Sequence, residues 1–246
     1  VGNIDRTSRM EWAVTLSLER GQRRLHQRVR LKNRLPYKRG HWFWSNAAVK
    51  AASDLQLIFP ASKARTAHGV VNYPIHEGKD LSKYVSHEHA DDIFALDVRQ
   101  DYFGCHYAEA DVGLAHVADH RLLAGKKFFT WGTSDAGDRW ADLITDSDGQ
   151  YGELQSGRFE TQTIWQFLQP FEEVSWDEYW LPEQGMGGWV AAAPEAVLNV
   201  ESVDDGLRVG MLATRSCENV TLRAIEQGTV VAEQAMDAVS GQSFRA

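Results

Sequence analysis

The sequence predicts an all-β protein, an antiparallel β-sandwich, and three observations carry that expectation. Short segments rich in Val, Ile, Thr, Phe, Tyr and Trp recur along the chain and end in Gly, Asn, Asp or Pro, the punctuation of strands and turns. Little between them sustains a helix: only 138–144 (DRWADLI) and 80–84 read as one or two helical turns. Strands without crossover helices pair antiparallel and must bury one face against another sheet or close on themselves. The spacing follows no fixed repeat, which argues against a propeller.

The elements follow in order. Segments 11–18 (EWAVTLSL) and 25–31 open the chain, and in the second Arg24, His26, Arg28, Arg30 and Lys32 alternate with Leu25, Gln27, Val29 and Leu31. That period of two is a strand with one wetted, cationic face. Segments 42–49, 55–59, 112–117, 127–131, 151–156, 161–168 and 174–181 continue the pattern with a dense stock of aromatics. At 182–194 (PEQGMGGWVAAAP) Gly and Ala take over, and the strands at 196–203, 207–212 and 220–225 precede a lone aromatic, Phe244. We therefore expect a sandwich domain over 1–195 and a small, incomplete β-domain over 196–246. About 50 residues are marginal alone, so the second unit is expected to lean on the first.

Composition narrows the function classes. At 246 residues and 43% hydrophobic, with nine Trp and a mean hydropathy of −0.41, the chain is neither disordered nor a membrane protein. The net charge of −8 hides 12 Lys/Arg against 3 Asp/Glu in residues 1–50. An acidic remainder can neutralise that stretch inside the fold, so neither nucleic acid nor a membrane surface is an expected partner. Cys105 and Cys217 stand far apart without metal-like spacing, which fits a reducing, cytoplasmic setting. No phosphate loop, nucleophile elbow or Cys–His pairing occurs, and neither cofactor nor metal is expected. His87 and His89 share a strand face but lie in a polar loop, where solvated surface is the better reading.

The densest polar cluster is Tyr151-Gly-Glu-Leu-Gln-Ser-Gly157. Tyr151, Glu153 and Gln155 share one face, and a turn at 157–159 would bring Gln162 opposite Gln155 on the following strand. A carboxylate, two carboxamides and a phenol suit sugar hydroxyls, and an indole such as Trp44 or Trp131 suits the apolar face of a pyranose. On the pattern alone, a solvated sheet face with cross-strand pairs is the stronger reading. His68, beside Gly69 in a loop-like stretch, has room to act as an acid or base, and an ordinary turn histidine reads equally well. Asp146 and Asp148 could supply a second carboxylate, but DSDG is more simply a turn.

The run from Asp5-Arg-Thr-Ser-Arg-Met through Trp42-Phe-Trp-Ser-Asn46, Asp80-Leu-Ser82, Gly125-Lys-Lys, Thr130-Trp-Gly132 and Tyr151 to Gly157 resembles bacterial domains of unknown function that often precede tetratricopeptide repeats. Those domains look like galactose-mutarotase-like proteins, and the resemblance covers roughly residues 5–200. It implies a later part of that sandwich without its early strands, packing on helical repeats of a longer protein, and a small sugar or oligosaccharide as ligand. In aldose 1-epimerases a Glu-x-Gln strand motif supplies the base, and Glu153-Leu-Gln155 is similar to it. The epimerases' acid is a His whose counterpart here is Trp42, so His68 or His41 would have to replace it. The resemblance thus implies Glu153 and His68 as catalytic groups, with Tyr151, Gln155, Gln162, Trp44, Asn46 and Trp131 binding the sugar. The alternative is a non-catalytic carbohydrate-binding or scaffolding module.

Overall fold

The computed structural model describes residues 1–204 and 206–245. Two antiparallel sheets stack on each other. The first runs, edge to edge, Gly2–Ile4, Met10–Ser17, Leu25–Asn33, Glu173–Gln184, Val112–Val117, Tyr102–Tyr107, Leu55–Ile58. The second runs Trp44–Lys50, Tyr151–Gly157, Gly125–Thr130, Asp91–Leu96, Lys63–Thr66, Gly69–Asn72. Alternate residues of both meet in one core: Leu55, Leu57, Phe103, Cys105 and Trp180 from the first pack against Val49, Ala64, Ile93, Phe128 and Leu154 from the second. Each such side chain contributes roughly 1.5–3 kcal/mol by leaving water, which holds the sheets face to face. Among the described residues no helix is long and apolar enough to cross a membrane.

The cationic strand Leu25–Asn33 lies between Met10–Ser17 and Glu173–Gln184, and its charges are met there. Arg30 pairs with Glu11 (2.6 Å) and Glu173 (3.0 Å), and His26 with Asp177 (2.7 Å).

Several local expectations change. The helix spans Asp135–Ile144, starting earlier than its apolar residues suggest, with Asp135 and Asp138 in the first turn where the helix dipole favours negative charge. Over 80–84 the Asp80 carboxylate accepts the backbone N–H (3.0 Å) and hydroxyl (2.6 Å) of Ser82, and the helical character starts only at the end of the segment, in a single 3₁₀ turn over Tyr84–Ser86. The 161–168 segment is strand only at Gln166–Leu168, paired with Arg39–His41. The hairpin Lys63–Thr66 with Gly69–Asn72 forms where the sequence read as loop.

Beyond residue 190, Ala191–Ala193, Ala196–Val203, Gly206–Ala213 and Ser243–Arg245 make a separate sheet, with Cys217–Glu226 and Thr229–Ala238 as a two-stranded ribbon. Trp189, Val197 and Leu212 share a core with Ala115 and Leu181 of the first sheet. Asp111 fastens the junction: its carboxylate accepts from Gly187 N (2.7 Å) and from Arg245 Nη2 (2.7 Å).

Candidate functional site

The strand Tyr151–Gly157 is paired on both sides. The register sets Glu153 between Ala48 and Phe129, and Gln155 between Asn46 and Lys127. Period two then turns Leu154, fully buried, into the core and leaves Tyr151, Glu153 and Gln155 on the outer face. Gly157 makes that face possible at one end: a Cβ there would sit 2.3 Å from the Trp44 ring, so the indole lies flat across the strand only because glycine is beneath it. Gly125 on the neighbouring strand gives way to the same ring at 2.4 Å.

Glu153 is half-buried and accepts two hydrogen bonds on Oε2, from Asn46 Nδ2 (2.5 Å) and Gln155 Nε2 (2.7 Å). Gln155 Oε1 accepts from Gln162 Nε2 (2.8 Å), and Gln162 Oε1 accepts from Lys127 Nζ (3.0 Å). Lys127 also pairs with Asp92 at 2.6 Å. A continuous chain of polar groups therefore crosses four strands of the second sheet. Gln162 joins it from a loop rather than from the strand the sequence suggested, held there as its backbone oxygen accepts from Trp42 Nε1 (3.0 Å). Among the described residues no hydrogen bond falls on Glu153 Oε1, so one carboxylate oxygen is free to accept from a ligand hydroxyl.

The other nominated residues divide. Tyr151 shares the face, opposite Lys50. Trp131 stands edge-on to Phe129 at 4.7 Å, and Trp140 of the helix stacks on it at 4.5 Å. His68 lies elsewhere, in the turn joining Lys63–Thr66 to Gly69–Asn72. Three strand spacings separate it from Tyr151–Gly157, roughly 14 Å at ~4.8 Å each. It lines a cleft of about 650 Å³ with His76, His87 and His89, and Glu153 lines no part of it. His41 is buried against Phe159 (ring centroids 5.4 Å), and burial holds its imidazole below the usual range. Lys127, Asp92 and the indoles of Trp42 and Trp165, stacked at 6.3 Å, belong to the face and escaped the sequence reading. Lys126-Lys127-Phe128-Phe129 shows no two-residue alternation, so nothing in the chain signals that Lys127 turns to this face or which strand lies alongside.

Beneath the face, between the sheets, a second polar group fixes the same strands. Glu178 is fully buried and accepts from Ser45 Oγ (2.6 Å), His116 Nε2 (2.9 Å), Trp176 Nε1 (2.8 Å) and Gln27 Nε2 (3.2 Å). Burial opposes its charge, but the bonds from His116, Ser45 and Trp176 outweigh burial and hold the carboxyl below its ordinary range. Burial holds His116 below its own range, and its Nδ1 meets no acceptor among the described residues, as suits a neutral ring. Ser45 neighbours Asn46, so this hub anchors the strand that delivers Asn46 to Glu153.

Comparison with known proteins follows the same lines. Residues 1–183 match the model of a domain of unknown function, DUF5107. A TPR-domain containing protein from Parabacteroides distasonis is 28% identical with a TM-score of 0.67, covering 74% of this chain and 32% of that one. A putative aldose 1-epimerase from Klebsiella pneumoniae is 12% identical with a TM-score of 0.52, over 75% of this chain and 49% of its own. A galactose mutarotase-like protein from Lactobacillus casei is 10% identical, also at 0.52, over 74% of this chain and 68% of its own. The chain thus spans about a third of the first of these and about half of the second. The low identity of the last two speaks for shared architecture alone. The fold is a galactose-mutarotase-like β-sandwich, and by the match over most of its length the chain belongs to the DUF5107 family of domains of unknown function.

Proposed function

We propose that this chain is a carbohydrate-active domain that acts at the anomeric centre of a sugar bound on the Glu153 face, as an aldose epimerase or a glycoside hydrolase does. The observation that carries the reading is the convergence of Asn46 and Gln155, itself held by Gln162, on a half-buried Glu153 whose Oε1 takes no hydrogen bond among the described residues. Two amide donors on Oε2 fix the orientation of the carboxylate, the kind of group that can take a proton from an anomeric hydroxyl. Trp44, Trp131 and Tyr151 supply the flat surfaces on which a pyranose ring packs. In this reading residues 1–195 carry the site and 196–246 form a small β-unit docked beside it. Helical repeats of a longer chain are its expected neighbours, by analogy with the TPR-domain containing protein.

One observation favours a second reading. His68, the nominated acid, sits three strands away, and Lys127 is already engaged by Asp92 and Gln162, so neither supplies the second acid–base group beside Glu153. A domain that binds sugar without turning it over fits that arrangement. The two are separated by one-dimensional NMR of freshly dissolved sugars and by reducing-end release from oligosaccharides. Accelerated anomer exchange or cleavage that vanishes in Glu153→Gln supports catalysis. Saturation-transfer signals without turnover support binding alone, and turnover undiminished in Glu153→Gln removes Glu153 from the mechanism.

A further inference from the structure

We propose that His106, Asp111 and Glu183 form a site for one divalent transition-metal ion, Zn²⁺ or Mn²⁺, at the seam between the sandwich and the sheet that follows it. The site is separate from the Glu153 face and stands whether or not a sugar binds there.

The register gathers the three side chains. His106 pairs with Gly113, and Gly113 with Glu183, so the three residues form one row across Tyr102–Tyr107, Val112–Val117 and Glu173–Gln184. Residues in a row share a face, and a glycine in the middle lets its two neighbours meet above it. A Cβ on Gly113 would stand 2.6 Å from Glu183 Oε2, and without one that oxygen comes to 2.9 Å from His106 Nδ1. Asp111 enters from the turn between the first two of these strands, at a φ of 48°, held by Gly187 N and Arg245 Nη2. One donor atom from each of the three residues lies within 4.8 Å of the other two. Positions 106, 111 and 183 have no metal-like spacing, so only strand pairing assembles the group.

Three features call for a cation. A carboxylate only accepts, so the bond to Glu183 puts the proton on Nδ1 and leaves Nε2 of the neutral ring as a lone pair. Nε2 lies 3.9 Å from Asp111 Oδ1, too far for a hydrogen bond, whereas an ion about 2.0–2.2 Å from each donor spans that gap. Glu183 is 2% exposed, yet its Oε1 meets no hydrogen-bond partner among the described residues, a costly state unless positive charge meets it. Arg245 offsets one of the two carboxylates and leaves the other. A carboxylate on the far nitrogen is also the way a ligating imidazole is held in orientation, and Glu183 keeps Oε1 as a third donor.

The donor set chooses the ion. One imidazole with carboxylates suits Zn²⁺ or Mn²⁺, while Ca²⁺ and Mg²⁺ favour oxygen alone and Cu⁺ favours sulfur. His106 is buried, and the Asp111 side chain, 33% exposed, gives the ion its way in. Bound there, the ion locks the turn whose Asp111 fastens the following sheet, a structural role.

The test is titration calorimetry of chelator-treated protein with ZnCl₂, MnCl₂ and CaCl₂, with thermal midpoints read by tryptophan fluorescence. One Zn²⁺ or Mn²⁺ per chain is expected at micromolar affinity or tighter, with a raised midpoint, and Ca²⁺ at least tenfold weaker. His106→Gln and Asp111→Asn should each weaken binding tenfold or more and remove the midpoint rise. His120→Gln, in the surface group of Asp101, Asp119 and His120, should keep wild-type affinity. Co²⁺ on the wild type reads the site without a substitution, through one paramagnetically shifted imidazole N–H, the proton held by Glu183. Absence of one-to-one binding, affinity unmoved by both ligand variants, or loss of binding in His120→Gln overturns the proposal. So does His106 titrating as an imidazolium in metal-saturated buffer, because a proton would then stand where the ion belongs.

Discussion

Lys126→Met should make this protein more stable at neutral pH. Lys126 projects from Gly125–Thr130 into the space between the sheets, fully buried, with Nζ 5.5 Å from the Phe103 ring and no hydrogen-bond partner among the described residues. Burial lowers its pKa from 10.5 to about 8, an effect that Asp101 and Glu178 only partly offset. At 1.36 kcal/mol per pKa unit, keeping this ammonium folded at pH 7 costs about 3 kcal/mol, an upper bound on what the substitution recovers. Met has a similar length and no charge to desolvate, and Glu178 retains its four donors. The sign is fixed by linkage. The folded amine loses its proton near pH 8 and the unfolded one near 10.5, so between these values the unfolded chain binds more protons and the wild type gains stability as pH rises. The advantage of Lys126→Met should therefore shrink from about 3 kcal/mol at pH 7 to about 1.4 kcal/mol at pH 9.5. Urea unfolding followed by tryptophan fluorescence at pH 7.0, 8.5 and 9.5 measures it. A variant less stable than wild type at pH 7, or an advantage that does not change with pH, refutes the reasoning.

Further outcomes follow from the same geometry. Acidification from pH 7 to 5 should lower the thermal midpoint, because burial depresses His41, His87 and His116 together and the unfolded chain takes up protons near 6.5 that the folded chain refuses; a midpoint that rises would contradict this. Gly157→Ala should cost roughly 1–3 kcal/mol by driving a methyl into the Trp44 ring, seen as a lower urea midpoint and altered indole fluorescence, whereas a neutral substitution would mean the ring is free to move. Glu153→Gln should leave the thermal midpoint nearly unchanged, since the residue is half-buried and its amide neighbours stay in place; a large drop would make its role structural.

Much of the architecture was legible because burial imposes a period that the chain itself displays. The alternation of Arg24 to Lys32 with Leu25 to Leu31 read directly as a strand, and its cations found carboxylates on the strands to either side. Tyr151, Glu153 and Gln155 shared a face for the same reason. The strands Asp91–Leu96 and Tyr102–Tyr107 escaped because both of their faces are largely buried, which erases the alternation. The helical turn read at 80–84 falls later, as a 3₁₀ turn over Tyr84–Ser86, because the Asp80 carboxylate first closes a turn onto Ser82.

The sequence alone therefore determined the fold class, the family and the face on which Glu153 stands, because these depend on local period and on motifs that lie contiguous in the chain. Only the tertiary structure decided how the polar groups link into one chain ending on Glu153. Asn46, Lys127, Asp92 and Gln162 come from four separate segments, and their meeting is set by which strands lie side by side and in what register. The same pairing carried His68 out to a far hairpin, since neighbours in a sheet are chosen by packing across the whole core.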